Sequence, residues 1–385
     1  MLEMVGELEF CKAAFASFYA SPSSRAIAVP DCASREFGVG FQDKIDYRHK
    51  AFASNDAFRD FLARDAPFYV SYSTARYRLP DAKPMPKKVF LGQDVVFDLD
   101  RQYPEEHPAT HSKVFCLKCL ERAREDALRF LEEFLLSDYG FSRGEVACNF
   151  SGSKGFHFHV RSPAVQQLSP DARRQLCDYA MAFEVSSKTL LSRSAIEGKR
   201  VQHALRGPAA ASRGWGAKVF REVFKFASNA GGEEFKEWGA QRKAARLFIE
   251  NRQAALEKLS AGNWDFVAGL EDVWVKLIDS AVSRTRIELD KPVTFDKARL
   301  IRVPGSLHGD TGLCAKEIPL GELSSFRPDV DAVALRGAQE VVPGDSFNFE
   351  FNNVSFELQQ GVAKELPLAV AVLLLRKGKA SLAKQ

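Results

Sequence analysis

The hexapeptide Val95-Val-Phe-Asp98-Leu-Asp100 narrows the possible folds more than any other segment of this 385-residue chain. Its β-branched and aromatic residues favour an extended backbone, and alternation sorts the side chains between two faces. Asp98 and Asp100 then share one face while Phe97 and Leu99 point into the core. Carboxylates held side by side repel unless a cation lies between them. That is the arrangement for two Mg²⁺ or Mn²⁺ ions in phosphoryl or nucleotidyl transfer. The competing reading is an exposed strand edge with two solvated acids, and so short a motif does not decide between them.

Histidine is scarce, 7 residues against 31 phenylalanines, so its placement is informative. In Ser151-Gly-Ser-Lys154-Gly-Phe-His157-Phe-His159-Val the glycines let backbone approach a ligand closely, and the turn offers N–H groups beside the Lys154 ammonium. His157, His159 and Arg161 then share a strand face opposite Phe156, Phe158 and Val160. Such donors suit a polyphosphate; the alternative is a glycine hairpin turn with two satisfied histidines. In Leu300-Ile-Arg302-Val-Pro-Gly-Ser306-Leu-His308-Gly a strand carrying Arg302 enters a turn presenting Ser306 and His308, which suit phosphate or ribose but equally an ordinary strand–turn junction. Upstream, Asp290 is a candidate third carboxylate, with Glu288 and Asp296 as rivals. The spacing His107-x3-His111-x4-Cys116-x2-Cys119 has zinc-ligand chemistry, and four filled positions point to a structural ion rather than a catalytic one. A redox Cys-x-x-Cys is the rival, without a thioredoxin-like βαβ context around it.

The motifs predict one mixed α/β domain, 1–167 with 284–385, interrupted by an α-helical insertion at 168–283. Before the insertion the pattern predicts a helix over Phe52–Ala63 capped by Ser54, and another over Phe115–Leu136. Ser169-Pro170 predicts a helix start running to about Leu191. Strand signals are nearly absent in the middle, where a basic stretch includes Arg193, Lys199, Arg200, Arg206 and Arg213. Seven cysteines, an odd number with one close pair, suit a reducing cytosol. The longest apolar run, Leu366–Leu375, contains Pro367 and is too short to cross a bilayer. Glu3 and Glu7 without a basic n-region predict no signal peptide. A net charge of +4 permits a nucleic-acid partner without requiring one.

Taken in order, these segments resemble the small catalytic subunit of archaeal and eukaryotic DNA primase. Arg35-Glu-Phe-Gly and Tyr47-Arg48-His-Lys-Ala-Phe52 look like the family's N-terminal block and its downstream arginine. Val96–Asp100 looks like the paired aspartates, the His/Cys cluster falls where the family has its zinc knuckle (about 101–120), and the segments at 151–157 and 300–308 resemble its nucleotide motifs. Leu366–Leu375 resembles the family's apolar C-terminal segment. The chain departs at Ser153, where arginine is common, and at His107, where cysteine often serves.

The resemblance implies a primase-type core of β-sheets flanked by helices, making short primers from nucleoside triphosphates on single-stranded DNA during replication. It implies Asp98, Asp100 and Asp290 as ligands of two Mg²⁺ or Mn²⁺ ions. Arg48, Ser151, Lys154, His157, Arg302, Ser306 and His308 are then nucleotide contacts, and His107, His111, Cys116 and Cys119 hold Zn²⁺. The implied partners are an iron–sulfur-containing large subunit, the template and the replication machinery, in the cytoplasm and without a membrane. A stand-alone repair or translesion polymerase of the same superfamily is the nearest alternative. A catalytically dead nucleic-acid-binding protein is the alternative of another class, opposed by the three intact aspartates.

Overall fold

The computed structural model describes residues 2–100, 114–196 and 202–383. The chain divides into two compact units, Met1–Cys177 with Glu288–Gln385, and Asp178–Ile287.

Eight strands of the first unit frame the region of interest: β1 (Phe37–Gly40), β2 (Tyr47–Lys50), β3 (Tyr69–Ser73), β4 (Val95–Asp100), β5 (Val146–Phe150), β6 (Gly155–Val160), β7 (Leu300–Arg302) and β8 (Glu317–Ile318). They form two antiparallel four-stranded sheets, ordered β7-β3-β1-β2 and β8-β5-β6-β4. In the second sheet Phe97 packs on Phe130, with ring centroids 5.0 Å apart, and Phe130 on Phe158 at 5.5 Å. The helix supplying Phe130 starts at Leu117 and, from Phe130 to Leu136, winds as a π-helix. The wider winding keeps Phe130, Leu131, Phe134 and Leu135 all buried, which a 3.6-residue period spreads further round the axis. The helix Asn55–Asp65 opens as expected at Ser54, whose hydroxyl accepts from the Ala57 N–H at 3.2 Å.

The unpaired side of β4 is covered by the helical turn Lys291–Phe295. The Asp290 N–H donates to the Asp98 carbonyl at 3.0 Å, and the Thr294 hydroxyl to the Val96 carbonyl at 2.7 Å. A few residues later β7 pairs with β3, placing Arg302 opposite Ser71. Near the C-terminus the apolar run begins in the strand Lys364–Pro367, of which Leu366 is buried, and continues as the helix Leu368–Arg376, whose residues Ala369–Leu375 are buried.

Against insertion borders expected at 168 and 283, the second unit spans 178–287. The helix Pro170–Ala180 opens in the first unit because Arg173 is buried there, donating to the carbonyls of Gln93, Asp94 and Val165 at 2.7–2.9 Å. The expected continuation to Leu191 does not form. Ala182 and Glu184 adopt left-handed backbone, φ 57° and 60°, and a short helix restarts at Ser187. The middle segment also contains strands that the sequence pattern did not reveal. Ser192–Ile196 and Gln202–Arg206 form an antiparallel ladder that pairs with no other strand among the described residues. The rest of this unit is helical around Trp264, Trp274, Phe235 and Phe248. Among the described residues no helix is long and apolar enough to cross a membrane.

Candidate active site

The register of the second sheet builds the site. Asp98 lies directly across from His157, and His157 directly across from Asn149, so one row of side chains spans β4, β6 and β5. Two residues further along β4, Asp100 faces Gly155. A Cβ on Gly155 would come within 2.4 Å of the Asp100 carboxylate and of the Leu99 carbonyl, so only glycine leaves room for that carboxylate.

Asp98 is 14% exposed at its side chain, and its buried Oδ1 has no hydrogen-bond partner, the His157 Nε2 standing 3.5 Å away. Burial first, then the neighbouring charges of Asp100 and Asp290, hold the Asp98 carboxyl well above the usual range, against the opposing pull of Lys154 and Arg302. A hard divalent cation answers both conditions, because it supplies the missing partner and cancels the repulsion. Among the described residues no three His, Cys, Asp or Glu side chains are gathered into a ready-made ion cage. The geometry offers two strand carboxylates and a third acid on the adjoining turn.

A cleft of about 400 Å³ opens over this row. One wall carries Asp98, Asp100, Ser151, Ser153, Lys154 and His157; the other carries Ser71, Arg302, His308 and Asp310, with Lys44 also at the cleft. The turn leading into β6 is locked by Ser151, whose hydroxyl oxygen accepts from the N–H groups of Ser153 and Gly155 at 3.3 and 3.1 Å. Its own hydrogen therefore remains available to an anion. Gly152, at φ 83°, brings the turn so close to His308 that a Cβ would lie 2.8 Å from that residue's Cβ, and Thr311 donates to the Gly152 carbonyl at 2.6 Å. The two nucleotide-type motifs are thus welded to each other.

Cationic groups line the cleft beside the carboxylates. Lys154 Nζ is 3.7 Å from Asp100 Oδ2. The Arg302 guanidinium lies over the Tyr69 ring at 5.9 Å, with its buried Nη1 unpaired in the protein. Tyr69 in turn donates to Asp310, and burial together with that bond pushes its hydroxyl up to about 12. The histidines behave differently. Burial and the charge of Arg302 bring His157 down to about 3, and burial, Arg302 and Lys44 hold His308 well below its ordinary value. Both imidazoles are neutral near pH 7, serving as dipolar donors rather than fixed charges.

Most of the sequence-predicted residues therefore meet in one place: Asp98, Asp100, Ser151, Lys154, His157, Arg302 and His308 line the cleft. Asp290 adjoins it through its backbone bond to Asp98. Two others lie elsewhere. Arg48 donates to Glu36 at 3.0 Å and to the Ala298 carbonyl at 2.7 Å, and Ser306 is fully buried, its hydroxyl donating to Val303 at 2.7 Å. Sequence reasoning missed Lys44, Ser71, Asp310 and Asn149, which carry no motif of their own. His107 and His111 lie outside the described residues. Cys116 and Cys119 begin the helix Leu117–Arg129 and share a small cavity with Ser153 and Lys154, at the flank of the nucleotide-type turn.

Comparison with known proteins gives one consistent result. Residues 97–320 match the family model of the DNA primase small subunit, a span holding all three acids and both nucleotide-type motifs. The chain is 32% identical to the DNA primase small subunit PriS of Methanothrix thermoacetophila, over 96% of this chain and 97% of that protein. It is 30% identical to PriS of Methanosarcina acetivorans, over 96% and 95%, and 31% identical to PriS of Haloarcula marismortui, over 88% of each.

Proposed function

The chain belongs to the DNA primase small subunit family, and from that premise we propose that it is the catalytic subunit of a primase. It would join nucleoside triphosphates into short primers on a single-stranded DNA template by nucleotidyl transfer. The observation that carries this reading is one cleft lined by Asp98, Asp100, Lys154 and Arg302, with Asp290 adjoining it through its backbone bond to Asp98 and its charge acting on that carboxyl. A nucleic-acid-binding module gains nothing from carboxylates aimed at a polyanion.

Asp98, Asp100 and Asp290 would hold two Mg²⁺ or Mn²⁺ ions, a role that the unpartnered Asp98 Oδ1 suits. When bound, such ions lower the pKa of an attacking 3′-hydroxyl and neutralise charge on the triphosphate. The protein's own groups do the rest. The Ser151 hydroxyl and the Lys154 ammonium would donate to phosphate oxygens from one wall, and Arg302, whose buried Nη1 has no partner in the protein, would add its charge from the other. His157 and His308, neutral and buried, add N–H donors that need no proton from solvent. Because these donors sit on welded turns, little reorganisation is needed as charge develops.

The reading includes a structural Zn²⁺ held by His107, His111, Cys116 and Cys119, a large-subunit partner, and action in the cytoplasm at replicating DNA. The test is primer synthesis on a single-stranded template with either nucleotide pool, with and without the large subunit. Asp98→Ala and Asp100→Ala are expected to abolish dinucleotide formation while the fold is kept. Activity retained in both variants would defeat the reading.

A further inference from the structure

Asn149 sits at the far end of the row that begins at Asp98, 1% exposed and between two histidines. Its Nδ2 lies 3.3 Å from His157 Nδ1 and also donates to the Phe150 carbonyl at 3.3 Å. Its Oδ1 lies 2.9 Å from His159 Nε2, and His159 Nδ1 lies 3.4 Å from the Tyr72 hydroxyl. A carboxamide nitrogen only donates and its oxygen only accepts, so the amide sets the polarity of both contacts. The Phe150 carbonyl excludes the flipped amide, which would face oxygen with oxygen. His159 must then carry its proton on Nε2, with Nδ1 free to accept from Tyr72. His157 must accept at Nδ1 and carry its proton on Nε2, the nitrogen aimed at Asp98. Every donor in the chain Tyr72–His159–Asn149–His157 points toward the cleft.

We propose that Asn149 is a positioning residue that locks His157 as its Nε2–H tautomer, so that the imidazole presents a donor to the cleft and never a lone pair. The consequence is specific. An imidazole protonated at Nε2 cannot ligate a cation with that nitrogen, although it stands beside the carboxylates, but it can donate to an anionic oxygen. Asn149 thereby assigns His157 to the triphosphate and leaves the ions to the aspartates. This assignment of roles rests on the nucleotidyl-transfer reading above, whereas the tautomer itself does not.

The experiment uses the full-length chain. Nitrogen-15 spectra of the imidazoles, assigned with His157→Gln, report which ring nitrogen of His157 carries the proton. The expected result is Nε2–H in the unmodified chain and loss of that single tautomer in Asn149→Leu, which keeps the volume and removes both partners. The nucleoside triphosphate KM should rise about tenfold or more in Asn149→Leu with a smaller change in kcat. Asn149→Thr should return toward the unmodified values, because a hydroxyl can donate to His157 and accept from His159 together. An Nδ1–H tautomer in the unmodified chain overturns the proposal whether or not any variant folds. So does an unchanged tautomer or an unchanged KM in folded Asn149→Leu. A chain that shows the expected tautomers but makes no primers supports the positioning by Asn149 and defeats the functional reading instead.

Discussion

Replacing Asp98 by asparagine should cost the protein its activity and make it more stable. Along a strand, residues two apart are separated by about 7 Å. Two unit charges at that distance repel by about 2 kcal/mol at an effective dielectric of about 20. Asp290 adds a second repulsion, and Lys154 and Arg302 oppose both. The buried Oδ1 has no partner in either residue, so its desolvation is relieved only in so far as an amide oxygen costs less to bury than a carboxylate oxygen. The net relief on removing the charge is on the order of 1–3 kcal/mol. That corresponds to a rise of roughly 2–6 °C in the melting transition of the unit carrying the site. Scanning calorimetry in EDTA measures this directly. In Mn²⁺ the order should reverse, because an ion at a hundred times its Kd stabilises the unmodified chain by about 2.7 kcal/mol and asparagine is a much poorer ligand. A variant that melts below the unmodified chain in EDTA would refute the reasoning, as would equal stabilisation of both by Mn²⁺.

Three further outcomes can be checked with simple variants. Gly155→Ala drives a methyl group into the Asp100 carboxylate and the Leu99 carbonyl, so it should lower stability by about 1–3 kcal/mol and abolish primer synthesis. Gly144→Ala, with nothing within 4 Å of the added carbon, is the control expected to leave both unchanged in the same melting and priming assays. His157 is held down to about 3, below its unfolded value of about 6.5, so its neutral form contributes stability above pH 6.5 that is lost as pH falls toward 3. Denaturant titrations between pH 6.5 and 4 should show a slope that is smaller in His157→Gln by up to about 1.4 kcal/mol per pH unit; identical slopes would contradict the burial argument. Elemental analysis of freshly purified protein should find about one zinc per chain, lost in the Cys116→Ser Cys119→Ser double variant.

The core of the site was legible because its chemistry follows the period of single strands. Alternation alone put Asp98 and Asp100 on one face and Phe97 on the other, and glycines flanking Lys154 marked a tight turn. What escaped were relations between strands. Nothing in Val146–Phe150 distinguishes Asn149 until register sets it beside His157. Lys44, Ser71 and Asp310 reach the cleft only through the pairing of distant segments. Arg48, implied as a nucleotide contact by the resemblance alone, pairs through Nε with the buried Glu36, a partner that no motif along the chain announces. Ser306 reads as exposed in a Pro-Gly turn, but its hydroxyl closes that turn from inside. The ladder of Ser192–Ile196 with Gln202–Arg206 escaped for another reason: its strands pair only with each other among the described residues, and neither shows apolar alternation in its sequence.

The short stretch from Asp290 to Arg302 closes the free side of β4 and the free side of β3 within a dozen or so residues, after the chain has passed through the whole second unit. During synthesis on the ribosome both edges therefore wait, unpaired, until most of the chain has emerged. Open edges of this kind recruit foreign strands, so interrupted translation products should be prone to aggregation and attractive to chaperones and proteases. The same late clip delivers the third acid. A fragment that ends before it carries Asp98 and Asp100 without Asp290 and leaves the sheet open, so closing the edge and bringing in the third proposed ligand become one event.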